Sequence, residues 1–162
     1  MKKRITLERT YSSTLADVWE LWTTKDGIES WWGPDGFSVK VHTIDLRPQG
    51  KLTYAMLATA APQIAFMKKA GMPLVTEAEI TYTEVEREAR LAYDHLADFI
   101  PGVAPYSVAT TVELQKTKEG VRILLTLDPM HDQTWTGRMV AGWESELGKL
   151  AKTIASRQSP SK

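Results

Sequence analysis

One long amphipathic segment at the C-terminal end of the chain limits the fold more than any other feature. After Pro129, apolar residues recur at intervals of three and four, as Val140, Trp143, Leu147, Leu150 and Ile154. This spacing predicts one helix from His131 or Asp132 to Ser156, with Asp132 as its N-cap. Such a helix is about 40 Å long. Its apolar stripe must be covered by a packing surface of similar length.

Three glycines, Gly137, Gly142 and Gly148, interrupt this helix. A glycine inside a helix costs about 1 kcal/mol relative to alanine. We therefore expect either a close approach of the helix to a sheet or a bend of the helix over a cavity.

Most segments before the helix alternate apolar and polar residues, which is typical of half-buried strands. Two short helices, 15–23 and 24–30, follow the first strand, and Thr14 and Thr24 are their predicted N-caps. Turns rich in glycine and proline separate the later strands, which favours antiparallel pairing. The strands are predicted at 4–11, 37–42, 51–56, 75–86, 89–96, 106–116 and 121–128.

This order of elements predicts an α+β fold, in which a curved antiparallel sheet of about six to seven strands wraps around the C-terminal helix. A strongly curved sheet that holds one helix leaves space that side chains need not fill. We therefore expect an apolar cavity suited to a small molecule. Residues 1–157 are predicted to form one domain, and 158–162 a flexible tail.

The segment 59–74 breaks the alternation between two strands. Pro62 is suited to the first turn of a short helix, and Pro73 closes the segment. Because the segment carries apolar residues and two methionines, we interpret it as an insertion and as a candidate lid over the cavity.

Composition excludes several classes of function. Lys plus Arg equals Asp plus Glu, 20 each, so the chain lacks the net positive charge of a nucleic-acid-binding protein. It has no cysteine, which excludes disulfides and thiolate chemistry. Neither a signal peptide nor a membrane span is predicted, and the expected compartment is the cytoplasm. His42, His95 and His131 form no metal-ligand spacing, so no metal and no cofactor are predicted.

Several motifs follow one another along nearly the whole chain: Glu8–Tyr11, Ala16–Trp22, Ile28–Pro34, Pro48–Lys51, Tyr82–Val85, Arg90–Tyr93 and Ala141–Leu150. Together they resemble the START-like (SRPBCC) helix-grip superfamily. Within it, they resemble the AHSA1-like group, named after the activator of Hsp90 ATPase and related to polyketide cyclases.

The resemblance implies a helix-grip fold that binds lipids, polyketides or other hydrophobic molecules between helix and sheet. It implies little about a reaction, because members include both binding proteins and cyclases. The eukaryotic co-chaperone also has a separate N-terminal domain, for which this chain has no room. We therefore do not expect a chaperone partner.

Aromatic and methionine side chains are the candidates for the wall of the cavity. Aromatic rings supply large apolar surfaces, and methionine adapts to irregular shapes. An ordinary aromatic core explains the same residues, so both interpretations stay open. The candidates are Trp31, Trp32, Tyr54, Met56, Phe66, Met67, Trp135 and Met139.

A second group of candidates is polar. Tyr93 and His95 share the predicted inward face of their strand, and Asp98 follows them, so these three are weak candidates for acid–base catalysis. His95 is otherwise a satisfied core residue or a ligand contact. Arg9 is predicted to pair with a carboxylate, either Asp45 or one on the helix; alternatively it binds an acidic oxygen of the ligand.

Three functions are compatible with these observations. The first is binding of a small hydrophobic ligand, such as a lipid, a polyketide or an aromatic compound. The second is an acid–base enzyme of the cyclase or dehydratase type in the same cavity. The third is a co-chaperone or protein-interaction module that docks through Lys68 and Lys69. A homodimer is compatible with all three.

Overall fold

Seven antiparallel strands form one sheet in a computed structural model that describes residues 3–98 and 100–158. The spatial order is β1-β7-β6-β5-β4-β3-β2. The strands are β1 (Ile5–Tyr11), β2 (Phe37–Ile44), β3 (Lys51–Ala58), β4 (Val75–Glu86), β5 (Arg90–Ala97), β6 (Tyr106–Thr117) and β7 (Gly120–Leu127). The predicted α+β class, strand number and antiparallel pairing are confirmed.

The two edges of the sheet are β1 and β2, which are consecutive strands in the sequence. The chain between them therefore crosses from one edge to the other, and it does so through α1 (Leu15–Thr23) and α2 (Lys25–Trp31). Thr14 caps α1 by accepting a hydrogen bond from the Asp17 N–H, and Thr24 caps α2 through the Gly27 N–H. Both caps agree with the sequence prediction.

The C-terminal helix α4 (Gln133–Gln158) lies against the sheet. The Asp132 carboxylate accepts a hydrogen bond from the Trp135 N–H, as an N-cap does. Leu147, Leu150 and Ile154 are buried in the main core, whereas Met139 and Trp143 are only partly buried. The C-terminal half of α4 is thus packed tightly, while its N-terminal half leaves space beneath it. This is the helix-grip arrangement that the stripe predicts.

The glycines of α4 do not mark a close approach. A Cβ atom at Gly137, Gly142 or Gly148 would meet no other atom within 4 Å. The prediction of close contact with the sheet is therefore wrong. Gly142 instead lines a cavity, which agrees with the alternative interpretation.

The segment 59–74 contains α3 (Ala61–Lys69) and joins the neighbouring strands β3 and β4. Its start is held by hydrogen bonds from the N–H groups of Thr59 and Ala60 to the Gly36 carbonyl. Gly36 has a φ of 88°, and a Cβ there would lie 2.1 Å from the Gln63 side chain. This glycine therefore allows α3 to pack on the turn before β2.

In the part of the chain that the structure describes, no helix is both long enough and apolar enough to cross a membrane. The predicted tail at 158–162 lies, from residue 159 onward, outside the described residues.

Candidate functional site

A cavity of about 270 Å³ lies beneath the N-terminal half of α4. The strands β3 to β6 supply one side of its wall, α4 supplies the other, and Trp32 closes one end. Among the side chains that line it are Trp32, Tyr54, Tyr93, His95, Trp135, Met139, Trp143 and Glu146. Six of these were predicted from the sequence: Trp32, Tyr54, Tyr93, His95, Trp135 and Met139.

The aromatic part of the wall is one contiguous group of rings. The Trp32 ring lies 5.5 Å from Tyr54, edge to face, and 6.4 Å from Tyr93. The Tyr54 ring in turn lies 6.3 Å from the His95 imidazole. Edge-to-face contacts of this kind favour defined ring orientations, so this side of the cavity is a continuous aromatic surface.

The other predicted wall residues lie elsewhere. Trp31 is fully buried in the core, where its indole N–H donates to the Leu21 carbonyl at 2.7 Å. Met67 is buried and Met56 half-buried, but neither lines the cavity, and Phe66 is 65% exposed on α3. No residue of 59–74, all of which the structure describes, belongs to the cavity wall. A lid made by this segment therefore stays a prediction, and so does docking through Lys68 and Lys69.

Two polar candidates also lie outside the cavity wall. Arg9 forms an ion pair with Glu144 on α4, which is the helix carboxylate of the first alternative. Asp98 is exposed. Its charge reaches His95 and opposes the effect of burial on the pKa of that imidazole, but burial is the larger influence.

Burial lowers the pKa of His95 to about 4. The imidazole lines the cavity and makes no hydrogen bond within residues 3–98 and 100–158. It is therefore neutral at pH 7, and it offers one donor and one acceptor to whatever occupies the cavity. As a neutral side chain with a low pKa, it is a weak base.

Glu146 and Arg138 are charged residues of the cavity wall that were not among the sequence candidates. Burial raises the pKa of Glu146 to about 7, although the Gly33 N–H and the nearby Lys149 charge both oppose this effect. The Gly33 N–H donates to Glu146 Oε1 at 2.8 Å. Its sequence signal is its position: Met139, Trp143, Glu146 and Leu150 follow at intervals of four, three and four. A carboxylate at such a position on an apolar stripe faces the interior, and Glu146 is partly buried there.

Lys149 fixes the turn that carries Trp32. Its ammonium donates to the carbonyls of Gly33, Phe37 and Trp32 at 2.9, 3.2 and 3.4 Å. Gly33 itself has a φ of 88°, in the region that favours glycine. One lysine on α4 thus satisfies three carbonyls of residues 32–37 and holds the end of the cavity in place.

The phenols of the wall stay protonated. Burial raises the pKa of Tyr54 and Tyr93 well above the ordinary value, and the Glu146 carboxylate raises both further. The Trp22 indole opposes the shift at Tyr93, although the two groups lack the geometry of a hydrogen bond. Within the described residues, the Tyr93 hydroxyl and the Trp32 indole N–H are buried without a partner. The site therefore combines neutral donors, a neutral imidazole and a carboxyl that titrates near neutrality.

The family of Activator of Hsp90 ATPase homolog 1-like proteins matches this sequence over residues 12–155. Solved structures share the fold. A protein from Chromobacterium violaceum is 20% identical with a TM-score of 0.73, covering 94% of this chain and 97% of that one. The AHSA1 protein from Silicibacter pomeroyi is 18% identical with a TM-score of 0.74, covering 96% and 100%.

The AHSA1-like protein from Aeromonas hydrophila is 19% identical with a TM-score of 0.74, covering 99% of both chains. No curated protein sequence matches this chain. The structural similarities extend over nearly the whole chain at low identity, so they show a shared fold rather than a shared ligand.

Proposed function

The chain belongs to the family of Activator of Hsp90 ATPase homolog 1-like proteins, and we propose that it binds a small hydrophobic molecule between α4 and the sheet. The observation that carries this proposal is the open volume under α4, lined by aromatic rings and left unfilled by the protein's own side chains. Empty apolar space is costly to maintain in a core, since the lining atoms lose contacts. A ligand that fills it restores them.

The volume and the wall limit the ligand. A cavity of about 270 Å³ is near the lower end of the range for small-molecule sites. It suits an aromatic compound of about two or three rings better than a long-chain lipid. The neutral His95 imidazole and the Tyr54 phenol can hydrogen-bond a carbonyl or hydroxyl of such a compound without requiring a charge on that group.

A filled cavity tests this proposal. Gly142 lines the cavity, and a side chain added there meets open space, so Gly142→Leu is expected to occupy the ligand's volume. A panel of fatty acids, flavonoids and aromatic polyketides is titrated while tryptophan fluorescence is followed. We expect saturable binding of at least one aromatic member to the wild type, weakened about tenfold or more by Gly142→Leu.

The matched control is Gly148→Leu, an exposed position on the same helix that lines no cavity. It replaces a glycine of α4 by leucine as Gly142→Leu does, and it is expected to leave the affinity for the aromatic ligand unchanged. Two results would contradict binding under α4: no compound of the panel binds the wild type, or both variants weaken the affinity equally.

A second function, acid–base catalysis in the same cavity, is favoured by one observation. Glu146 faces the cavity and has a pKa raised to about 7 by burial, which is the range where a carboxyl both accepts and returns a proton at neutral pH. His95, with its pKa lowered to about 4, is less suited to this role. The supported reaction class is proton transfer next to a carbonyl.

Proton exchange tests the second function without knowledge of the product. An enolisable bicyclic aromatic ketone is incubated with the protein in D₂O, and loss of its α-proton signal is followed by NMR. If the chain is an enzyme of this class, Glu146→Gln is expected to reduce the acceleration about 100-fold. The control is Glu144→Gln, an exposed carboxylate on the same helix. No acceleration by the wild type, or equal rates in both variants, argues against this function.

A further inference from the structure

Three residues of α4 repeat at intervals of four and face the cavity together: Arg138, Gly142 and Glu146. Arg138 lies nearest the N-terminal end of the helix and is exposed, so it stands at the mouth. Glu146 lies two turns further on, about 12 Å along the helix axis. Gly142 between them leaves the helix surface bare. The lining of the cavity thus has a cation at one end and a carboxyl at the other.

Arg138 differs from every other arginine of the sequence. Arg4, Arg9, Arg47, Arg87, Arg90, Arg122 and Arg157 each form an ion pair with a carboxylate. Within residues 3–98 and 100–158, Arg138 has none at salt-bridge distance. Arg138, the arginine that pairs with no carboxylate among the described residues, is thus the one that lines the cavity.

The guanidinium of Arg138 is held in place by an aromatic ring. Its central carbon lies 4.9 Å from the centre of the Trp135 ring, which also lines the cavity. Stacking on a ring face orients the guanidinium and leaves its N–H groups free to bind two oxygens of one carboxylate. A guanidinium that donates two parallel hydrogen bonds to one carboxylate forms a stronger pair than a single contact does.

The end of the cavity at Glu146 determines how a negatively charged ligand would be oriented. An acid group placed deep would meet Glu146, a second carboxyl, and the low-polarity wall of Trp32 and Tyr54. An acid group placed at the mouth meets Arg138 and remains partly hydrated. Repulsion and desolvation therefore both favour the acid outward and the apolar body inward.

We propose that Arg138 anchors the acid group of the ligand, so that the natural ligand class is a hydrophobic carboxylate that enters with its apolar end first. This inference rests on the proposed binding function. It adds the chemical class of the ligand and the residue that selects it.

A matched pair of probes tests the anchor. 2-Naphthoic acid and 2-naphthamide have the same ring system and nearly the same shape, but only the acid is negatively charged at pH 7. Isothermal titration calorimetry is expected to show about tenfold tighter binding of the acid by the wild type. Arg138→Gln is expected to abolish this preference while changing the affinity for the amide less than about twofold.

Two further variants separate anchoring from a general effect of charge. Arg138→Lys keeps the charge but loses the planar, two-pronged contact, and is expected to retain only part of the preference. Arg87→Gln removes an exposed arginine that pairs with Glu88 away from the cavity, and is expected to retain all of it.

The outcomes distinguish the two proposals. Equal affinity of the wild type for acid and amide, or a preference that survives Arg138→Gln, overturns the anchor and leaves the binding function standing. Absence of binding by both probes and by the whole panel overturns the binding function, and the anchor with it.

Discussion

Replacing Lys149 by methionine is expected to lower the free energy of unfolding by about 3 kcal/mol. The ammonium of Lys149 donates to three carbonyls of residues 32–37, and methionine keeps the unbranched stem of the side chain but not the donor. The half-buried carbonyls then lose their partner, which is the costly direction of change for a hydrogen bond. Chemical denaturation at pH 7 measures the difference.

The control for this variant is Lys152→Met, one turn along the same helix and exposed to solvent. It removes the same charge and is expected to change the free energy of unfolding by less than about 0.5 kcal/mol. Because the turn carries Trp32, Lys149→Met is also expected to broaden the indole N–H signal of Trp32 in NMR spectra. A loss no larger than that of Lys152→Met would contradict the role given to Lys149.

The elements of the fold are largely predictable because their signals are local. Alternation in β1 and β7, the caps at Thr14 and Thr24, and the stripe of α4 each depend on residues within a few positions of one another. The pairing of β1 with β7 is not local. No spacing in the sequence predicts it, because the two strands lie far apart along the chain.

The cavity wall is predictable only in part. The alternation of side chains along β5 predicts that Tyr93 and His95 point inward, and both line the cavity. Trp31 and Trp32 have the same local pattern, yet only Trp32 reaches the cavity, because Trp31 turns into the core to bond the Leu21 carbonyl. Which of the two adjacent rings faces the cavity depends on the packing of α2, and no spacing in the sequence encodes that packing.

The charges of the site were the hardest to identify in advance. Glu146, Lys149 and Arg138 have the appearance of ordinary charged residues on a helix with many of them. Their tertiary contacts make them distinctive. Glu146 accepts a hydrogen bond from the Gly33 N–H, and Lys149 donates to three carbonyls of residues 32–37. Arg138 has no carboxylate at salt-bridge distance among the described residues. The first two contacts depend on segments that are 113 and 112 residues away in the sequence.

Glu146→Gln is expected to stabilise the protein at pH 8 by about 3 kcal/mol and to change it little at pH 5. Glutamine has the same shape, and its amide oxygen still accepts the hydrogen bond from the Gly33 N–H. It removes only the charge that burial disfavours. The prediction depends on the pKa of Glu146, which burial raises from an ordinary value of 4.5 to about 7.

The direction of the effect follows from proton binding. The folded protein holds the Glu146 proton more tightly than the unfolded chain does, because its pKa is higher in the folded state. Between about pH 4.5 and 7 the unfolded chain has already lost this proton, so rising pH favours unfolding. Above pH 7 both states are ionised, and the full cost of the buried charge is present. The wild type therefore loses this stability across that window, and the glutamine variant does not.

The measurement is the difference in free energy of unfolding between Glu146→Gln and the wild type, at intervals from pH 5 to pH 8. Taking the difference removes the contributions of titrating groups that do not interact with Glu146. Glu144→Gln, an exposed residue paired with Arg9, serves as the control and is expected to show a small difference at every pH. A difference for Glu146→Gln that stays flat over this range would mean that its carboxyl is ionised as easily inside the protein as in water. The cavity would then be hydrated around Glu146, and the raised pKa on which the proposed acid–base role of this carboxyl depends would be contradicted.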